Sequence, residues 1–179
     1  ILVESIKYPT ILGDSYGDLV GYYADVLKEH GVYTTIYRVP DEYVKQNLPP
    51  EYNPDKPRYI LLARVGSGDK ILQFNGHYDV VSPGEGWSIT DPFNPKIIDN
   101  RVYGRGATDM KGGIASLLST LVYFASREDL ELVVEAAIVP DEEIGGITGT
   151  GYLVNNMGSK PDWVVIAEPS GIDNMWIGH

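Results

Sequence analysis

The most constraining feature of the sequence is a series of short, almost continuous apolar segments that alternate with segments of helical periodicity. "YILLARV" (59–65), "LELVVEAAIV" (130–139) and "WVVIA" (163–167) are the clearest apolar segments. Strands that are covered by helices on both faces of a sheet have this character. The alternation therefore predicts an α/β sandwich with a mostly parallel or mixed sheet.

Two segments have the spacing of apolar residues that is typical of a helix, residues 13–31 and residues 113–126. In the first, Asp14 or Ser15 is suited to cap the amino end and Gly31 to end the helix. A shorter helix is predicted at 148–156.

The strand predictions depend on β-branched and aromatic composition and on turn residues. Residues 58–65 and 70–81 are separated by the turn sequence "GSGD", which predicts that they pair as a β-hairpin. Residues 40–57 are rich in proline and polar residues and predict a surface excursion, and residues 84–113 predict mostly loop. Further strands are predicted at 32–39, 130–140, 162–170 and 174–179.

Composition excludes several classes of function. The 179 residues form a single domain's length of chain, and no apolar run approaches the roughly 20 residues of a membrane helix. The net charge of −11 argues against a nucleic-acid surface. Because the chain has no cysteine, any metal site must use His, Asp and Glu. The absence of disulfides is also consistent with a cytoplasmic protein. We therefore expect a cytoplasmic protein and, from the apolar runs and the net charge, no membrane or nucleic-acid partner.

Acidic and imidazole side chains follow the buried strands at their ends. The candidate site residues are His77 and Asp79, Glu142 and Glu143, Glu168, and Asp109 in a glycine-rich loop before a helix. In open α/β sheets, sites form at the carboxyl ends of the strands, so residues distant in sequence can converge there. Such a set of nitrogen and oxygen donors suits Zn²⁺ or a similar divalent ion.

Each residue also has a purely structural interpretation. Asp109 is suited to cap the following helix, Glu142–Glu143 to lie in a solvated turn, and Glu168 to mark a strand-to-turn transition. Lys111 is expected to be a surface or loop residue. Since side chains alternate along a strand, His77 and Asp79 should share one face, where the aspartate can orient a metal-bound imidazole.

Four motifs together resemble the metallopeptidase M20 family, which includes acetylornithine deacetylase, succinyl-diaminopimelate desuccinylase, aminoacylase and carboxypeptidases. The motifs are "GHYDVVSPGEGWSITDPFNP", "VYGRGATDMKGG", "PDEEIGG" and "AEPS". The resemblance implies a zinc-peptidase-like three-layer α/β/α sandwich that holds two zinc ions, with cobalt as a possible substitute.

The resemblance also implies roles for the candidate residues. The implied metal ligands are His77, Asp109, Glu143 and Glu168. Asp109 would bridge the two metals, with a cis peptide bond to Met110, while Asp79 would orient the imidazole of His77. Glu142 would be the general acid and base in the hydrolysis of an amide bond, acting on a water that the metals activate.

The implied substrate is an N-acyl amino acid or a peptide; a carboxypeptidase or dipeptidase, or a non-catalytic metal-binding or interaction relative, is the alternative. We expect residues 1–175 to be an incomplete catalytic domain and residues 176–179 to begin a lid domain. The rest of the lid, a homodimer interface on it and one further histidine ligand would then be missing, and the 179 residues would be inactive or impaired.

Overall fold

Five α-helices and seven β-strands occur in residues 1–127 and 129–171, the part of the chain that the computed structural model describes. The helices are α1 (Leu2–Ile6), α2 (Tyr16–Glu29), α3 (Asp41–Asn47), α4 (Lys111–Ala125) and α5 (Thr150–Asn155). The strands are β1 (Tyr33–Arg38), β2 (Tyr59–Val65), β3 (Ile71–His77), β4 (Lys96–Ile98), β5 (Arg101–Tyr103), β6 (Val133–Val139) and β7 (Trp163–Ile166). Two 3₁₀ helices add Pro50–Tyr52 and Glu142–Ile144.

The main sheet has five strands in the order β1-β2-β6-β3-β7. The pairs β1/β2 and β2/β6 are antiparallel, whereas β6/β3 and β3/β7 are parallel, so only β2 runs against the other four. This arrangement confirms the predicted mixed, largely parallel sheet. In the parallel part His77 lies beside Val139 and Asn75 beside Ile166, so three strands end at the same edge of the sheet.

Helices cover both faces of the sheet, which confirms the three-layer α/β/α sandwich. On one face, α2 and α4 pack on alternate residues of β2 and β6, among them Leu61, Ala63 and Ile138. On the other face, α3 and α5 contribute Val44 and Leu153 to a smaller cluster with residues of the opposite register. The strict alternation along each strand follows from the two-residue repeat of the pleated backbone.

The predicted long helices are present, although one detail differs. Ser15 precedes α2 as expected, but its φ of 52° places it in the left-handed region and its side chain caps no backbone N–H. Burial of the apolar face of α2 on the sheet, rather than a capping side chain, therefore stabilises the start of this helix. Gly31, with φ of 76°, ends it as predicted.

The predicted hairpin between residues 58–65 and 70–81 is wrong, because β6 lies between β2 and β3. The glycines of the connecting turn instead pack against the chain that enters β6. A Cβ atom on Gly66 would lie 2.3 Å from the carbonyl oxygen of Leu132, and one on Gly68 would lie 2.3 Å from that of Glu131. The turn residues are thus selected by close approach to another segment, which local turn propensity does not reveal.

Two further expectations need correction, and a third needs an addition. Residues 40–57 include α3 and a 3₁₀ helix, and Val44 is fully buried there. Residues 84–113 are mostly loop, as predicted, but they also include the β4–β5 hairpin, whose turn has positive φ at Asp99 and Asn100. The strand β7 was expected to be buried, but its side chains are exposed among the described residues. The predicted strand at 174–179 and lid start at 176–179 lie outside the described residues.

The helices of the described part of the chain are all too short or too polar to cross a membrane.

Candidate metal centre

His77 is the last residue of β3 and its imidazole is almost completely buried. The backbone N–H of His77 is directed at the sulfur of Met110, 3.1 Å away, which places the loop before α4 next to the end of the strand. The Nδ1 atom of His77 lies 3.0 Å from the carbonyl oxygen of Asp79 and 3.4 Å from its carboxylate. As predicted, Asp79 lies on the same side as His77, while Tyr78 points into the core between α2 and the sheet.

The other imidazole nitrogen, Nε2, faces three carboxylates. Asp109 lies 3.0 Å away, Glu168 lies 3.3 Å away and Glu142 lies 3.7 Å away. These residues come from the loop before α4, the segment after β7 and the turn after β6. The structure therefore brings together side chains that are up to 91 residues apart in sequence, since His77 and Glu168 mark the two extremes.

His77, Asp109 and Glu168 have the geometry of a metal site. One donor atom from each lies within 4.8 Å of the donor atoms of the other two. An imidazole nitrogen with two carboxylate oxygens is a common protein ligand set for zinc, which leaves coordination positions for further ligands. The donor chemistry of these residues thus fits the metal that the sequence motifs imply.

Asp109 does not cap α4, so that structural interpretation is wrong. Met110 occupies the position before the helix, and no side chain bonds to the first helical N–H groups. The peptide bond between Asp109 and Met110 is cis, as expected. Lys111 is fully buried rather than on the surface, because its ammonium group donates to the carbonyl oxygens of Ser5 and Tyr8 and so ties the start of the chain to α4.

Asp79 has a second contact that sequence reasoning missed. Its carboxylate accepts the backbone N–H of Glu142 and that of Glu143, each at 3.1 Å. One carboxylate therefore fixes both the strand end that presents His77 and the turn that presents the two glutamates.

The titration of the site reflects its crowded negative charge. Burial opposes protonation of His77, but the Asp79 contact, with the charges of Glu168 and Glu142, raises the imidazole pKa to about 9. Burial, followed by repulsion from Asp109, raises the pKa of Glu143, and burial likewise leads the causes that raise the pKa of Glu168. A divalent cation among these groups would relieve the repulsion and hold the imidazole in its neutral, ligating form.

A groove adjoins the metal centre on the side of β7. It has a volume of about 290 Å³ and is bounded by the site residues His77, Glu142 and Glu168 and by the apolar side chains of Val164 and Ile166. The candidate site is therefore open to a molecule of small size.

A buried ion pair beneath the turn was also missed by sequence reasoning. Arg58 and Asp141 are both fully buried, and Arg58 Nε lies 2.7 Å from the Asp141 carboxylate. Nothing in the spacing of these residues indicates the contact, because they are separated by 83 positions.

The fold and site together define an α/β domain with a candidate metal centre at one edge of its sheet, and comparison with known proteins identifies the family. The sequence model of the family described as "Peptidase family M20/M25/M40" matches residues 73–178. That match covers more than half of the chain and contains every candidate site residue. The chain belongs to this family.

Relatives and solved structures agree with this assignment. The chain is 41% identical over 126 residues to a succinyl-diaminopimelate desuccinylase of Sphingopyxis alaskensis, which covers 68% of this chain and 32% of that protein. Human carnosine dipeptidase 1 superimposes with a TM-score of 0.69 at 27% identity, covering 98% of this chain and 38% of that one. An M20 family metallo-carboxypeptidase of Sulfolobus solfataricus, at a TM-score of 0.70 and 24% identity, covers 93% and 36% and shares the fold. The chain thus spans about a third of the length of these proteins.

Proposed function

We propose that this chain is the metal-binding part of a hydrolase that cleaves an amide bond in an N-acyl amino acid or a peptide. The observation that carries the proposal is the convergence of His77, Asp109 and Glu168 within 4.8 Å of one another at the edge of a sheet. Membership of a peptidase family supports hydrolysis as the reaction class.

Two zinc ions would be held by four side chains. His77 and Glu168 would bind the first ion, Glu143 the second, and Asp109 would lie between them. The closeness of Asp109 to His77, at 3.0 Å, supports its place among the residues that would hold the ions. When bound, the ions would supply Lewis acidity and lower the pKa of a water molecule.

Glu142 would transfer the proton during hydrolysis. Its side chain is 55% exposed and lies 3.7 Å from His77 Nε2, so it can reach both the metal centre and a molecule in the adjoining groove. A carboxylate in this place can take a proton from the attacking water and deliver it to the departing amine. Asp79 would position both this base and the imidazole ligand, because it contacts the backbone of the first and the ring of the second.

The substrate class is proposed from the relatives. Identity of 41% to a succinyl-diaminopimelate desuccinylase favours an N-acyl amino acid, whose hydrolysis releases a carboxylate and a free amine. A dipeptide is the second candidate, supported by the similarity to human carnosine dipeptidase 1 over 98% of this chain. We propose further that residues 1–175 form part of a catalytic domain, that residues 176–179 begin a lid, and that the longer protein forms a homodimer.

Zinc binding by the purified chain tests the proposal. We expect His77→Ala to lower zinc affinity at least about 100-fold, because the buried nitrogen ligand is lost. His30→Ala is the matched control, since His30 is an exposed residue at the end of α2 and should leave affinity unchanged. Glu142→Gln should retain zinc and abolish any hydrolysis of N-succinyl amino acids or dipeptides. Equal zinc affinity in the His77→Ala and parental proteins would refute the proposed centre.

A further inference from the structure

We propose that the buried pair Arg58–Asp141, with Tyr16 and Thr148, positions the Glu142–Glu143 turn at the metal centre. This inference rests on the proposed function, because it concerns the same site and names positioning residues for it. None of the four side chains is a candidate ligand or base. They act through the backbone of the turn that carries the candidate base Glu142 and the candidate ligand Glu143.

The Asp141 carboxylate is bound by three donors inside the protein. Arg58 Nε donates to one oxygen at 2.7 Å, and the hydroxyl of Thr148 donates to the same oxygen. The hydroxyl of Tyr16 donates to the other oxygen at 2.9 Å. Because both oxygens are bound from different directions, the side chain has a single orientation.

The backbone of Asp141 shapes the turn. Its φ of 62° lies in the left-handed region, which aspartate tolerates better than most residues. Its carbonyl oxygen accepts the N–H of Gly146 at 2.7 Å and that of Ile144 at 3.3 Å. Asp141, whose side chain is fixed by three donors, therefore also closes the loop in which Glu142 and Glu143 lie.

Arg58 is itself anchored, so the pair is a fixed point. Its guanidinium group donates to the carbonyl oxygens of Tyr52, Asn53 and Lys56 at 2.7 to 3.0 Å. The guanidinium carbon also lies 5.4 Å from the centre of the Tyr16 ring, within the range of a cation–π contact. The segment before β2, through Arg58, and helix α2, through Tyr16, thus fix the orientation of Asp141.

The turn is consequently held from two sides by carboxylates. Asp141 holds it from the protein interior, while Asp79 accepts the N–H groups of Glu142 and Glu143 on the side of the metal centre. A turn held in this way keeps its glutamate side chains in place before any ion arrives. Preorganisation of this kind raises metal affinity, and loss of such supporting contacts typically costs tenfold or more.

Single hydroxyl deletions test the proposal without removing the buried charges. Tyr16→Phe and Thr148→Val each remove one donor to Asp141 and retain the size of the side chain. Tyr23→Phe is the matched control, because Tyr23 is buried in the same helix and is not one of the three described donors to Asp141. All three proteins should retain the parental circular dichroism spectrum.

Hydrogen exchange of the metal-free protein measures the position of the turn directly. In Tyr16→Phe and Thr148→Val, the amides of Ile144 and Gly146 should exchange about fivefold faster, as expected for one weakened hydrogen bond. Amides of β6 should keep the parental rate, and Tyr23→Phe should change neither group. Parental rates in the turn, or equal acceleration across the turn and β6, would overturn the positioning role.

Cobalt affinity supplies a second readout that a general loss of stability would not reproduce. Tyr16→Phe should weaken Co²⁺ binding about tenfold in the parental chain. In a Glu143→Gln background, where the ligand of the turn is already absent, the same substitution should have no further effect. An equal loss in both backgrounds would overturn the proposal. Absence of Co²⁺ binding by the parental chain would instead refute the proposed function, and hydrogen exchange would still decide the positioning role.

Discussion

Replacement of Arg58 by methionine should destabilise the protein strongly, because it leaves the Asp141 carboxylate charged and buried without its cation. Both side chains are fully buried, and Arg58 donates four hydrogen bonds to Asp141 and to three backbone carbonyl groups. Methionine replaces the aliphatic part of arginine but none of these donors.

The expected cost follows from the state of the partner that remains. Removal of one member of a buried ion pair costs about 3–5 kcal/mol, because the remaining charge loses its compensation. Tyr16 and Thr148 still donate to Asp141 in the variant, which favours the lower end of that range. Since small domains have a total stability of about 5–15 kcal/mol, the change should be large in any unfolding experiment.

Urea denaturation followed by circular dichroism measures the effect. The control is Arg38→Met, which removes the same side chain from an exposed pair with Asp41 and should cost at most about 1 kcal/mol. Addition of Asp141→Asn to Arg58→Met should cost less than the two single changes together, because the uncompensated charge is then gone. A free energy of unfolding for Arg58→Met within about 1 kcal/mol of the Arg38→Met value would refute the reasoning.

Two glycines in helices should respond in opposite directions. Gly113→Ala places a Cβ atom 2.4 Å from the carbonyl oxygen of Ala167, next to Glu168. We expect the free energy of unfolding measured in urea to fall by about 1–3 kcal/mol. Zinc binding should also weaken, because the segment that carries the candidate ligand Glu168 must move. Gly21→Ala meets no atom within 4 Å and should stabilise α2 by about 0.5–1 kcal/mol, seen as a higher urea midpoint with unchanged zinc affinity. Stabilisation by Gly113→Ala would contradict the contact.

The regular part of the fold could be predicted from sequence because its signals are local. The strands follow from their nearly continuous apolar segments, and α2 and α4 follow from the helical spacing of their apolar residues. In α2, for example, Leu19, Val20 and Leu27 are all fully buried. The convergence of His77 with Glu168 was also predictable, since the carboxyl ends of parallel strands share one edge of a sheet. Their roles as metal ligands stay predictions.

The order of the strands could not be predicted in the same way. β2 and β3 are close in sequence and joined by turn residues, but β6 separates them. Five of the last six residues of β6 are apolar, and the strand pairs with β2 on one side and β3 on the other. A largely apolar strand such as β6 gains most free energy in the interior of a sheet, which outweighs the local preference for a hairpin. That competition depends on the whole chain, so the local sequence of the "GSGD" turn does not reveal its outcome.

The exposure of β7 shows how composition and structure can disagree for a physical reason. Trp163, Val164, Val165 and Ile166 are each at least 45% exposed, although their composition is that of a buried strand. β7 is the last strand of the sheet and pairs only with β3 in the described residues. An apolar edge strand of this kind is favourable in water only when another surface covers it. If the chain is part of a longer hydrolase, as proposed above, we expect another part of that protein to cover β7, next to the groove that adjoins Glu168.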